Sequence, residues 1–279
     1  MPQTQSAQKQ PSITMIALRK YLWVGLTAAR SNLAYPLEVA SRFIFLTVIL
    51  FIFLKLWQVT YGETGAQRLG GFTLQQMIWY LAMTEAITLS GTGVADEVDN
   101  DVRTGALAVQ LIRPMSYPLY RFGSAMGERL VRWLMNVAVG GVIATAFVGF
   151  MPSLVEGLAL CLLAVPLAFT LDFLIYFVVG LGAFWMEETS GLRLLVSRFT
   201  MIAGGMLIPL DLFPDSWQPI LHALPFASIV YGPARLFAAP DLALLGELLV
   251  KQGLFTLLLI GAVAWLYRRG VARIHANGG

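Results

Sequence analysis

The feature that most constrains this chain is the stretch from Phe43 through Leu54, which carries no charge and is almost wholly apolar, set between Arg42 and Lys55. A surface helix of a soluble protein shows one apolar stripe, and a helix apolar all round is buried or spans a membrane. Cations at both ends suit the second case, because their heads reach out of the apolar zone along flexible stems. Composition extends the argument to the whole chain. Of 279 residues, 57% are hydrophobic and 13% charged, against about 25% charged in an average soluble chain. Mean hydropathy is +0.71. Too few charges remain to cover a water-facing surface, which excludes a soluble enzyme and a disordered chain. The fold class expected is an all-α integral membrane protein.

A bilayer-crossing helix needs about 20 mainly apolar residues. The sequence predicts six: residues 37–59, 72–95, 130–151, 154–186, 194–210 and 244–267. Residues 1–12 are polar and rich in Gln and are expected to form a disordered tail. Residues 13–36 mix apolar positions with Arg19, Lys20 and Arg30 and carry Tyr21 and Trp23, the pattern of a helix lying in the headgroup plane. Residues 37–279 are expected to form a single transmembrane domain. Within it, residues 211–240 resist assignment as a seventh crossing. Lys, Arg, Asp and Glu are absent from Ser216 to Ala234, yet Pro214, Pro219, Pro225 and Pro233 punctuate the stretch. Frequent prolines leave backbone groups unsatisfied in lipid, so short re-entrant helices packed against protein are expected.

Orientation follows from the basic residues. One side would hold 15: Lys9, Arg19, Lys20, Arg30, Arg42, Arg103, Arg113, Arg121, Arg129, Arg132, Arg193, Arg198, Arg268, Arg269 and Arg273. The other would hold 4: Lys55, Arg68, Arg235 and Lys251. The positive-inside rule places both termini in the cytoplasm, in agreement with an even number of crossings. The net charge of +3, spread in this way, gives no sign of nucleic-acid binding.

Soluble-enzyme chemistry finds no purchase. The sequence has no phosphate-binding Gly-rich loop ending in Lys-Ser/Thr, no paired-Cys motif and no His-Glu-x-x-His. His222 and His275 lie in different regions, and Cys161 is the only cysteine. The chain does not read as an enzyme, and no cofactor or metal is expected in it.

The most informative polar segment lies between the second and third predicted spans. Acids at Asp96, Glu97, Asp99 and Asp101 precede Arg103-Thr104-Gly105, an amphipathic stretch follows to Ile112, and Arg113-Pro114 closes it. Thr104 is a candidate helix cap, and the acids favour a helix N-terminus. A short apolar-faced helix on such a loop seeks either a partner's groove or the membrane surface.

The pattern Arg103-x-Gly105-x-Leu107-Ala108-x-x-Leu111-x-Arg113-Pro114, between spans two and three of six, resembles the permease subunits of type-2 ATP-binding-cassette exporters. The likeness extends over the interfacial helix, the six spans and the broken segment before the last. The resemblance implies that Glu97, Arg103, Gly105, Leu107, Leu111, Arg113 and Pro114 form a coupling helix seated in a cytoplasmic ATPase dimer, which would hold ATP and Mg. Residues 13–36 become the connecting helix. The broken segment becomes an outer gate, with Pro214, Trp217, Pro219 and Pro225 as its candidate residues. It further implies a second permease copy or a related permease beside this one, membrane lipids around it, and the cell inner membrane as its place. The substrate expected is hydrophobic or amphipathic, drug-like or lipid, with lipid-linked glycans as an alternative. A non-transporting scaffold or assembly factor is the reading from another class.

Charges inside spans are functional candidates by default. Glu85 and Asp172 are the substrate-path candidates, favouring a cationic amphipath. The bland alternative is a structural hydrogen bond, for example to Thr88, Thr170 or Tyr176. Arg129 and Arg132, at the start of span three, read as inner-leaflet anchors. The orientation is testable by labelling. With Cys161 replaced by Ser, a cysteine at Thr104 should react with an impermeant maleimide only when the inner face is exposed. Reaction from outside intact cells would overturn the topology.

Overall fold

The computed structural model describes residues 13–32 and 36–277; the tail expected to be disordered lies outside the described residues. The described residues are mostly helical, joined by short turns and loops, with no strand and one isolated β-bridge between Leu69 and Phe72. Twelve α-helices follow in order: α1 (Ile13–Asn32), α2 (Pro36–Thr64), α3 (Leu74–Leu89), α4 (Val94–Arg103), α5 (Ala106–Leu111), α6 (Tyr117–Val148), α7 (Leu154–Leu181), α8 (Ser190–Ala203), α9 (Gln218–Ala223), α10 (Pro225–Ile229), α11 (Tyr231–Ala238) and α12 (Leu242–Asn277).

Four of these, within α2, α6, α7 and α12, are long and apolar enough to cross a membrane. The predicted second and fifth spans fall short. At 1.5 Å per residue, the 16 residues of α3 reach only about 24 Å. Yet α3 is buried from Met77 through Ile87, so it meets protein rather than lipid and lies outside the length rule for a lipid-facing helix. The 14-residue α8 ends at Ala203, and the chain turns back into α9–α11.

Helix limits also differ from the hydropathy reading. The third helix starts at Tyr117 rather than 130, because Arg121, Glu128, Arg129 and Arg132 all find partners and need no loop. The 72–95 span divides at residues 90–93, and its far part turns away as α4. The prolines of the broken segment start helices instead of interrupting them: Pro219 and Pro225 occupy the first turn of α9 and α10, where a missing N–H costs nothing.

Two ends can be told apart. Gln75 Nε2 donates to the Val148 and Phe150 carbonyls, and Tyr61 Oη donates to the Phe72 carbonyl, closing one end of the bundle. The opposite end gathers α4, α5, the turn after α7 and the last turns of α12, where Arg273 donates to the Phe184 carbonyl. The main core lies between, with Leu46, Leu50, Tyr80, Leu81, Trp133 and Val230 buried in it.

The helix expected in the headgroup plane is packed lengthwise on α6. Gly25 faces Gly123 and Gly127 across the contact. A Cβ built on Gly25 would stand 2.9 Å from the Gly123 carbonyl oxygen, and one on Gly127 would overlap the Gly25 backbone outright. Only glycine lets two backbones approach this closely. Lys20 Nζ donates to the Pro114 carbonyl, and the Ser116 amide donates to Tyr21 Oη, so α1 also holds the end of the α4–α5 loop. Leu22, Trp23 and Leu26 remain exposed on its other face. Gly127→Ala should therefore force α1 off α6 and lower stability by about 1–3 kcal/mol. Gly62→Ala, with open space around it, should be neutral or mildly stabilising. Thermal unfolding in lipid nanodiscs separates the two, and equal midpoints would refute the close-contact argument.

Candidate functional site

The loop singled out by its Arg-x-Gly pattern folds as two helices. Val94, Ala95 and Val98 of α4 are buried, while Asp96 and Glu97 occupy its first turn, where the helix dipole favours acids. The acids thus belong to α4 and not to the start of the following helix. Thr104 closes α4, its hydroxyl donating to the Asn100 carbonyl. Gly105 then takes φ 75°, a left-handed conformation that costs other residues energy, and α5 begins. The Arg-x-Gly element is therefore a tight reversal between two helices.

Charged contacts lock α4 in place. Asp101 accepts from Tyr117 Oη at 2.6 Å and from Arg121, tying α4 to the start of α6. Arg121 also pairs with Glu97. Arg103 pairs with Asp99 one turn back at 2.6 Å, and Asp99 accepts from the Thr189 hydroxyl at 2.7 Å. Arg193 of α8 pairs with Asp96 at 2.9 Å. Burial raises the Glu97 carboxyl above its ordinary range, against the pull of Arg121. Burial acts in the same sense at Asp99, but the hydrogen bonds from Arg103 and Thr189 outweigh it and hold that carboxyl low.

The predicted coupling residues divide by exposure. Leu107 is fully buried and packs with Val98, Tyr117 and Phe177, so it anchors α5 to the bundle. Leu111 is half-buried, while Arg103, Gly105, Arg113 and Pro114 are exposed. The outward apolar face is carried by Val109 and Ile112, 59% and 85% exposed. Sequence reading missed this pair because a six-residue helix shows too little periodicity to tell its inner face from its outer one.

A second constellation lies between α3, α7 and α8. A cavity of about 420 Å³ opens beside the loop, with Asp96 and Arg193 among its lining. Arg129 and Asp172 line it too and form an ion pair between α6 and α7. Arg129 is only 3% exposed; its guanidinium lies 4.2 Å from the centre of the Phe169 ring. Arg129 is therefore the buried partner of Asp172 rather than an anchor reaching to headgroups. Asp172, a substrate-path candidate for which a hydroxyl partner was the structural alternative, lines the cavity and meets a cation of its own chain. Arg132 pairs with Glu128 and donates to the Gly91 carbonyl at 3.0 Å, which ties α6 to the end of α3.

Glu85 does not line this cavity. It is fully buried, and among the described residues neither carboxylate oxygen has a partner. A charge so placed would cost at least about 2.5 kcal/mol. The two acids proposed together are thus in unlike settings, one paired at a cavity and one enclosed in the core.

At the other end, Asp211 accepts from Tyr231 Oη at 2.7 Å and from Arg235 at 2.5 Å. Gln218 Nε2 donates to the Asp211 and Phe213 carbonyls. Tyr80 Oη donates to the Gly205 carbonyl, and Thr84 Oγ1 to that of Met206 at 3.1 Å. Of the gate candidates, Pro214 and Trp217 line an apolar groove of about 690 Å³ shared with Leu195, Phe199 and Ile202 of α8. Pro219 and Pro225 lie at helix starts and are not among its lining residues.

The Arg129–Asp172 pair yields a cycle of variants. Removing one partner of a buried ion pair costs about 3–5 kcal/mol, whereas apolar replacement of both is often close to neutral. Arg129→Met and Asp172→Leu should each lower the unfolding midpoint more than the double variant does. A double loss equal to the sum of the singles would refute the pairing.

Against known proteins, residues 43–278 match the family model described as ABC-2 family transporter protein. A search of curated proteins finds no significant match.

Proposed function

The chain belongs to the ABC-2 family of transporter proteins, and from that premise we propose that it is the permease subunit of an ATP-driven exporter. The family match makes it a multi-pass membrane component of a transporter, which implies an ATP-binding partner. In our reading that partner is a cytoplasmic ATPase dimer holding ATP and Mg. This chain would contribute six crossings of the cell inner membrane, counting α3 and α8 with its returning helices, and both termini would lie on the cytoplasmic side.

The observation that carries the reading is the α4–α5 unit. It has one apolar face turned into the bundle through Val98 and Leu107, and another turned outward through Val109 and Ile112. Between them, Asp101, Arg121 and Tyr117 make the loop a rigid extension of α6. A push on the outward face would therefore move α6, α7 and α8 together. Glu97, Arg103, Gly105, Leu111, Arg113 and Pro114 would frame the contact, and Leu107 would transmit it.

A second permease, a like copy or a related chain, fits the exposed side of α8. Leu194, Leu195, Phe199 and Ile202 are exposed there, and so is Arg198, which donates to the Met201 sulfur at 3.9 Å. A cation on a lipid-facing wall is costly, so a protein or water-lined contact on this side is favoured. Residues 205–238 would then close the outer side of the path, with Pro214, Trp217, Pro219 and Pro225 at the gate. The substrate moved outward would be an amphipathic or hydrophobic molecule.

Co-purification from native membranes should bring down an ATP-binding subunit; a clean chain without one would favour the scaffold reading. Val109→Asp with Ile112→Asp should uncouple the partner's ATP hydrolysis from transport and leave the unfolding midpoint unchanged. Leu107→Asp should lower the midpoint, since it buries a carboxylate. Normal coupling in the Val109/Ile112 variant would remove the docking assignment.

A further inference from the structure

We infer that the cavity beside Arg129 and Asp172 binds the uncharged, hydroxyl- or carbonyl-bearing head of an amphipath, and selects against charged heads of either sign. The inference rests on the transport reading for its purpose, but not for its evidence.

Charge is balanced within the lining. The acids Asp96 and Asp172 are matched by Arg193 and Arg129, and each acid is already paired with one of these bases. A cationic head would have to share Asp172 with Arg129, and an anionic head would have to draw Arg129 from Asp172. In either case a charge loses water without gaining a free partner, which is costly in a buried site.

What the lining does leave open is hydrogen bonding. Thr88, Thr92, Tyr176, Ser197 and Thr200 line the cavity from three helices and the residue 90–93 turn; the Thr88 and Thr200 hydroxyls donate to the Thr84 and Val196 carbonyls of their own helices and keep oxygen lone pairs that can accept from a hydroxyl head. Arg129 adds a buried Nε–H that has no partner among the described residues. That donor is enclosed beside the Phe169 ring, so a neutral oxygen reaches it through a small shift of the lining and accepts from it while the Asp172 pair stays intact. Ile87, Met206 and Val230 supply apolar wall for the start of a tail. A volume of about 420 Å³ lies within the roughly 300–1,000 Å³ range of small-molecule sites.

The test uses the full chain in lipid nanodiscs without any ATPase, so its failure is distinct from failure of the exporter reading. Saturable binding above empty discs is measured for three probes with one tail: monooctanoylglycerol, octyltrimethylammonium and octyl phosphate. The neutral probe should bind about tenfold more tightly than either charged one, the scale of one charge-assisted hydrogen bond. Two variants at the partly exposed mouth then shift the balance in opposite senses. Arg193→Gln leaves an unmatched acid and should improve ammonium binding by about threefold, the scale of a partly exposed pair. Asp96→Asn should improve phosphate binding similarly. A charged probe that binds the native chain best, a ranking unmoved by both variants, or no saturable binding of any probe would each overturn the proposal.

Discussion

The ion pair of Arg129 with Asp172 is the interaction on which most of this architecture turns. A bundle of apolar helices has little hydrophobic drive to choose one packing over another, because lipid tails are as apolar as its own side chains. Buried charge supplies the choice. An arginine only 3% exposed requires its carboxylate in one position, and that requirement sets α6 against α7. The same pair borders the cavity that α3 and α8 complete. Structural register and a polar interior site thus arise from one contact.

The polar contacts elsewhere follow the same logic at each end. Near α4, Asp101 joins the α6 start through Tyr117 and Arg121, while Asp96 and Asp99 reach α8 and the turn before it. At the opposite end, Asp211 gathers Tyr231 and Arg235 and fixes the returning helices. Glycine does the complementary work where no side chain fits. The contact of Gly25 with Gly123 and Gly127 brings α1 onto α6 at backbone distance. Mechanical continuity from α1 and α4–α5 into α6 follows from these two kinds of contact, one electrostatic and one steric.

Legibility in the sequence tracked the range of the physics involved. Long helices α2, α7 and α12 were readable because hydropathy is summed over many residues. The α6 start was misplaced because four charges read as a loop, and only their partners on other helices show why they do not. The Gly123-x-x-x-Gly127 spacing was present in the sequence, but its meaning needed Gly25 opposite it. Leu107 and Ile112 look alike as letters, yet one is the buried anchor and the other the exposed tip of the same short turn.

The sequence by itself determined the solvent of this protein: apolar runs this long and charges this sparse are incompatible with a water-covered surface. It also determined the helical class, since lipid admits only helices and closed barrels, and these long runs are continuously apolar where barrel strands would alternate. The tertiary structure decided what the charges mean. Asp172 and Glu85 are both acids within apolar helices, and local sequence cannot separate them. One meets Arg129, 43 residues away in the chain, and the other meets no partner among the described residues, because partnership depends on which helices the fold makes neighbours.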